Sequence, residues 1–321
     1  MSLRRARARL GLASAVIRNL AGRLRWLILA IAFSKLFRVF EFIGVHITQN
    51  HFYSPIPDTR QLGTHLWLRH SELVGLDMRE EAQAELLELL PSTFGDEYEA
   101  LPREKPSVPS QYYLHNGSFG PVDGEMLYCM VRHFKPNKVI EIGSGSSSLL
   151  IAEALLTNQK LSEKAGQFVV IDPYPGQIVR RGFPGLSQLK PVAVETVSIS
   201  EFTCLEENDI LFIDSSHVVK VGNDVQYEYL EILPRLRRGV VVHIHDIFLP
   251  KEYPEAWVRR RHIFWNEQYL VQAFLSFNDS YEVLWAGSYM HFKHPELLER
   301  AFGSYRTKRS VPGSFWIRRK A

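Results

Sequence analysis

The chain has 321 residues, 45% hydrophobic and 23% charged, with 20 Gly and 17 Pro; this excludes disordered and collagen-like proteins and suits one large globular domain with an extension, or two smaller ones. Its two cysteines, Cys129 and Cys204, exclude a disulfide framework or a cysteine-based zinc cluster and fit a reducing, cytoplasmic compartment. The net charge of +3 is uneven: residues 1–40 hold eight Arg and one Lys with no acid, so the rest of the chain is net −6, which argues against a nucleic-acid-binding body.

The first segment, residues 1–49, reads as a basic amphipathic extension. The apolar run Trp26–Phe33 spans eight residues, against the roughly 20 that a membrane-crossing helix needs. Ser34, Lys35, Arg38 and Glu41 recur at helical spacing, so a helix is expected over residues 14–44. Such a helix has three readings: packing on the main domain or a second subunit, peripheral contact with an anionic membrane face through residues 1–44, or an organellar transit peptide. No secretory cleavage site follows the apolar run.

Residues 50–112 read as an accessory strap and helix. Pro55 and Pro57 exclude helix from His51–Asp58 and favour an extended strap. Met78–Leu90, with acids early and leucines late, predicts an amphipathic helix ending at Pro91. The proline-containing stretch Leu101–Ser110 marks the boundary before the main domain, residues 113–321.

In that domain Lys138–Ile142 is a short apolar strand, followed by the turn Gly143–Ser148 and an apolar helix. Gln167–Asp172, Asp209–Asp214 and Gly239–Asp246 are further apolar strands ending in acids. A helix is expected over Asp224–Leu236. Strands alternating with helices give a doubly wound, mostly parallel α/β sheet, whose ligands sit at the carboxyl ends of the strands. The glycine turn alone suits a dinucleotide, a phosphate or an adenosyl group at a helix N-terminus. The dinucleotide fingerprint fits poorly, since its third glycine falls on Ser148 and Asp172 is too distant. Glu141, directly before the first glycine, would repel a pyrophosphate and attract a cationic ligand such as S-adenosylmethionine.

On these residues the chain resembles the class I S-adenosylmethionine-dependent methyltransferases. Glu141-Ile142-Gly143-Ser144-Gly145-Ser146 is similar to their first motif, and Asp172 to the second-strand acid that holds the ribose hydroxyls in that family. The late β-rich runs Tyr281–Met290 and Gly313–Arg318 then stand where the sixth and antiparallel seventh strands of that Rossmann-like, seven-stranded fold are expected. Asp214-Ser215-Ser216-His217 followed by His245-Asp246 resembles a branch with D-x-x-H and H-D strand ends, which contains metal-dependent sugar O-methyltransferases.

The resemblance implies S-adenosylmethionine bound by Glu141, Gly143, Ser144, Gly145, Ser146, Asp172 and Asp214, and O-methylation (EC 2.1.1.-) of a small-molecule or glycan acceptor. The fourth and fifth strand ends are expected to be neighbours, so Asp214, His217, His245 and Asp246 can converge. His217 or His245 would then remove the acceptor's proton, with Asp214 and Asp246 positioning substrate or Mg²⁺. A helix-capping His217 and a buried, structural His243 are the plainer alternatives. Trp257, Trp265, Tyr269 and the arginines 180, 181 and 259–261 are candidate acceptor contacts or a solvated basic face. Near the third strand end, Glu195 and Glu201 are not separable by sequence. The rival functions are an NAD-dependent oxidoreductase and a non-catalytic, membrane-tethered scaffold; the oligomeric state stays open.

Overall fold

The computed structural model describes residues 31–162, 165–307 and 311–320. Two compact units emerge, residues 1–63 and 64–321. In the first, residues 31–42 are helical, and the part of the expected helix before residue 31 lies outside the described residues. Ring stacking of Phe37 on His46 at 5.1 Å folds the chain back after the helix. The segment expected as an extended strap is instead a series of turns, closed by the Ser54 N–H to the His51 carbonyl and the Gln61 N–H to the Asp58 carbonyl, both at 2.9 Å. Asp58 supplies the local alternative to an extended chain, accepting from Arg60 Nε and Nη2 at 2.8 Å each. Among the described residues no helix is long and apolar enough to cross a membrane.

The second unit is built on a seven-stranded sheet of order β3-β2-β1-β4-β5-β7-β6. Its strands are β1 Lys138–Ile142, β2 Gln167–Ile171, β3 Gln188–Lys190, β4 Ile210–Ile213, β5 Val241–Ile244, β6 Tyr281–Ala286 and β7 Phe315–Arg319. Strands β1 to β5 run parallel, and β7 is antiparallel to both β5 and β6. The central strands are continuous apolar runs because both faces are covered: β4 and β5 are buried at every residue. Strand order reverses between β1 and β4, so a crevice opens at their carboxyl ends.

Three elements depart from the sequence reading. The helix expected to stop at Pro91 continues as Glu80–Glu99, with Leu87, Leu90, Phe94 and Tyr98 buried on one face. That burial outweighs the missing proline N–H. Asp224–Leu236 is not one regular helix. An α turn, Asp224–Tyr227, passes into a π turn, Glu228–Ile232, and a 3₁₀ turn, Leu233–Arg235, which buries Glu228 and Tyr229 toward the site. Strand β6 ends at Ala286, where the helix Gly287–Lys293 begins.

His243, in the middle of β5, is a core residue. It stacks on Phe212 at 3.9 Å, its Nε2 pairs with Ser314 Oγ at 3.0 Å, and burial holds its pKa well below the ordinary histidine value.

Candidate active site

The turn after β1 is shaped by contact with β4. Gly143 has φ of +86°, and a Cβ there would sit 1.9 Å from the Asp214 carbonyl oxygen. Its N–H donates to Ile171 and the Asp214 N–H to Ile142, both at 2.9 Å, which pins the ends of β1, β2 and β4 together. Gly145 differs, since a Cβ there would meet nothing within 4 Å and would point into open space. Two outcomes follow: Gly143→Ala is expected to lose several kcal/mol of stability, and Gly145→Ala to keep the melting temperature while weakening cofactor binding. Thermal unfolding and S-adenosylhomocysteine titration of the two variants check this contrast.

Two cavities meet over the turn. The smaller, about 560 Å³, is lined by Gly143, Ser144, Asp172, Tyr174, Glu195 and Asp214 among others. Asp172 is held there as an acceptor, by the Ser144 hydroxyl and by the Tyr174 N–H at 2.7 Å. Of the two glutamates near β3, Glu195 is the one at this cavity, whereas Glu201 pairs with Lys138 and Lys190 at 3.0 and 2.6 Å. The larger cavity, about 1200 Å³, shares Ser144, Asp214, Ser215 and Ser216 with the first and adds Gly145, Ser146, His217, His245 and Asp246.

Glu141 is placed differently from the sequence expectation. It is fully buried and lines neither cavity; the Ser147 hydroxyl donates to its Oε1 at 2.6 Å and its Oε2 has no partner. Burial, with the charges of Asp214 and Asp172 nearby, pushes its pKa up to about 8, so at neutral pH the ligand-free side chain is largely the neutral acid rather than a carboxylate attracting a cation.

Four strand-end side chains do come together. His217 Nε2 lies 3.2 Å from Asp214 Oδ1 and 3.7 Å from Asp246 Oδ2. His245 Nδ1 lies 3.3 Å from that same Asp214 oxygen and 3.7 Å from Asp246 Oδ2. Asp214, His217 and Asp246 each offer one ligand atom within 4.8 Å of the others, a mixed carboxylate and imidazole set able to hold a divalent cation. His217 and Asp246 both have left-handed backbones, with φ of +59° and +56°, strain of the kind that packing must over-determine.

The electrostatics follow from crowding. Burial works to raise the pKa of Asp214, but His245 and His217 outweigh it and hold Asp214 well below the usual carboxylate range. Burial pushes Asp246 upward, and the neighbouring carboxylates add to this against the two imidazoles. Burial would lower His217, yet Asp214 and Glu267 push it up to about 10; His245 is likewise raised, by Asp214 and Asp246.

Two further carboxylates belong to this site, and sequence reasoning missed both. Glu267, fully buried, accepts from His217 Nδ1 and from the Tyr229 hydroxyl, both at 2.9 Å. Asp123 accepts from the N–H groups of Gly313 and Ser314 at 2.9 Å and stands 3.8 Å from His245 Nε2. Of the candidate acceptor contacts, Trp257 and Trp265 line the larger cavity. Arg180, Arg259 and Tyr269 are engaged elsewhere, with Pro175, Glu255 and Glu252.

Residues 140–247, from within β1 to just past Asp246, match the model of a methyltransferase domain family. The strand order, the antiparallel seventh strand and this match agree. Residues 140–247 therefore belong to a methyltransferase domain family, set in a sheet with the strand order of the class I methyltransferase fold. An uncharacterised protein of Archaeoglobus fulgidus is similar, 32% identical over 175 residues, 52% of this chain and 77% of the archaeal chain. Among solved structures, CmcI with Mg-SAM is similar at a TM-score of 0.35 and 17% identity, over 70% of this chain and 84% of that one. CmcI with SAH gives 0.35 and 16%, over 70% and 91%.

Proposed function

We propose that this methyltransferase moves the methyl group of S-adenosylmethionine to a hydroxyl oxygen of a small-molecule acceptor. The observation that carries the reading is the junction of two cavities at Ser144 and Asp214–Ser216, with an imidazole and carboxylate cluster on the acceptor side. The smaller cavity fits the adenosyl part: Asp172 and Glu195 offer acceptors to the ribose and base, and the open face of Gly145 admits the methionine end. When bound, the cofactor supplies an electrophilic methyl on a sulfonium. The protein's part is to exclude water, aim the acceptor oxygen along the methyl–sulfur axis and take its proton.

The donor set Asp214, His217 and Asp246 also fits Mg²⁺ or a similar cation, which when bound would lower the pKa of an acceptor hydroxyl. The same carboxylate oxygens that would hold the cation hold the His217 and His245 protons in the ligand-free protein, so the two compete for one position. Without the cation, and with Asp214 turned to the incoming ligand, Nε2 of His217 is the base, because its Nδ1 is already committed to Glu267; where that same Nε2 holds the cation, the proton falls to His245. His245 is the alternative base.

NAD is disfavoured by Ser148, which occupies the third glycine's position, is fully buried and accepts from the Gly145 N–H at 3.0 Å. Calorimetric titration of the full chain with S-adenosylhomocysteine and with NAD tests the reading. Saturable S-adenosylhomocysteine binding, weakened about tenfold or more by Asp172→Ala and with no NAD response, is expected from the loss of two charge-assisted hydrogen bonds; NAD binding, or binding of neither, would overturn it.

A further inference from the structure

We propose that the first unit docks on an anionic phospholipid surface through the outward face of its helix, with the aromatic turn Phe52–Tyr53 as a second contact. None of these residues lines either cavity, so this docking is independent of the methyl-transfer reading.

The helix over residues 31–42 carries apolar side chains on two sides, and only one side is used within the unit. Phe33, Phe37 and Phe40, three and four residues apart, are half-buried, and Phe37 stacks on His46. Ile31, Lys35, Arg38 and Phe42 recur on the opposite side, with Val39 beside them, and all five are exposed. Phe42, at the helix end, is 91% exposed. Gly44, at φ +78°, terminates the helix: its N–H donates to the Glu41 carbonyl and the Val45 N–H to the Phe40 carbonyl, both at 2.9 Å. Ile43 and Val45, on either side of this glycine, are exposed as well.

The turn that follows repeats the pattern. The Ser54 N–H closes on the His51 carbonyl, and the Tyr53 N–H donates to His51 Nδ1 at 3.0 Å. The Phe52 and Tyr53 rings meet edge to face at 5.3 Å and are 94% and 86% exposed. A hydrogen-bonded turn that holds two aromatic rings out into water is unfavourable until something apolar receives them.

Charge selects the partner. Residues 1–63 hold ten Lys or Arg against two acids, a net +8 out of +3 for the whole chain, so the second unit is net −5. Both acids are answered inside the unit, Asp58 by Arg60 at 2.8 Å and Glu41 by His46 at 3.8 Å when that imidazole is protonated. An anionic surface therefore attracts the first unit and repels the second, which orients the molecule. The place of the cations then decides between lipid and a protein partner. Lys35 and Arg38 stand inside the exposed stripe, between Ile31 and Phe42. Lysine is depleted at the centre of protein interfaces. At a bilayer surface the stems of both residues lie along the acyl chains while their charged ends reach the phosphates.

Full-length protein is floated with phosphatidylcholine vesicles and with vesicles that also contain phosphatidylglycerol, at low and at physiological salt. Binding to the anionic vesicles is expected to be about tenfold or more tighter than to the neutral ones, and to weaken as salt rises. Phe42→Ser/Phe52→Ser/Tyr53→Ser should weaken it about tenfold or more at an unchanged melting temperature, because these side chains are exposed. Lys35→Ala/Arg38→Ala should weaken binding to the anionic vesicles far more than to the neutral ones. Binding to neither vesicle, equal binding to both, or full binding by the aromatic variant overturns the proposal. Light scattering covers the other occupant: a wild-type oligomer that the aromatic variant dissociates would make this face an interface between copies, and overturns the proposal as well.

Discussion

His217→Ala is expected to lower methyl transfer about 10²- to 10⁴-fold while leaving S-adenosylhomocysteine affinity nearly unchanged, the range a positioned acid–base group contributes. His217 does not line the smaller cavity, so its loss should not reach the cofactor. The residue is fixed from three directions. Glu267 takes Nδ1, Trp265 packs on the ring face, and the N–H groups of Asn266 and Glu267 both donate to the His217 carbonyl, at 3.1 and 3.2 Å. These contacts hold a non-glycine residue at φ +59°, which costs about 1–3 kcal/mol unless its surroundings impose it. Glu267 therefore acts through His217, and two substitutions separate orientation from bulk packing. Glu267→Gln still offers a carbonyl oxygen to Nδ1 and an amide to the Tyr229 oxygen, so a loss of about tenfold is expected. Glu267→Ala leaves both partners without an acceptor, so about a hundredfold loss is expected, along with disappearance of the low-field His217 Nδ1–H proton resonance. Single-turnover rates and the imidazole NMR signals are the measurements; an unchanged resonance in Glu267→Ala would remove Glu267 from the positioning role.

What the sequence made legible at this site, and what it did not, divides by distance along the chain. Asp214 and His217 follow the end of β4, and His245 and Asp246 follow the end of β5; a parallel sheet brings these adjacent strand ends together, so local pattern plus topology suffices for their convergence. Glu267 and Asp123 sit in first turns of helices, where an acid is ordinarily read as a partner of the helix dipole. Glu267 reaches His217 from 50 residues away, a contact no periodicity encodes. The same division runs through the fold. Strands β1, β2, β4 and β5 stand out as buried apolar runs, whereas β3 is three residues long, with no fully buried position, and has no pattern to detect. Pro91 misleads because the rule against proline in helices is local, and the buried face Leu87, Leu90, Phe94 and Tyr98 that overrides it is tertiary. For Glu141 the spacing from the glycines is legible as that of a ligand contact, whereas only the fold reveals that in the ligand-free protein the side chain lies beneath the turn and accepts from Ser147.

Glu141 also carries a large expected effect of pH on stability. Its ordinary carboxyl pKa of 4.5 is raised to about 8 in the folded, ligand-free protein. The neutral acid is thus favoured by folding, and the stability tied to it is complete below about pH 4.5 and lost as pH rises through about 8. Across that window this one group should tilt the stability curve downward by up to about 1.4 kcal/mol per pH unit, a few kcal/mol in all. Glutamine cannot ionise. Glu141→Gln leaves amide hydrogens without acceptors beside Ser147, a cost of about 1–3 kcal/mol that does not vary with pH, so the variant should be the weaker protein at pH 5 and draw level with or pass the wild type near pH 8. Urea unfolding of both proteins at half-unit steps from pH 5 to 8, without cofactor, reads the crossing directly. Parallel curves would mean that Glu141 is already ionised at pH 5 in the folded protein, and that the enclosure of its carboxyl under the glycine turn is relieved in solution by water or by movement of the turn itself.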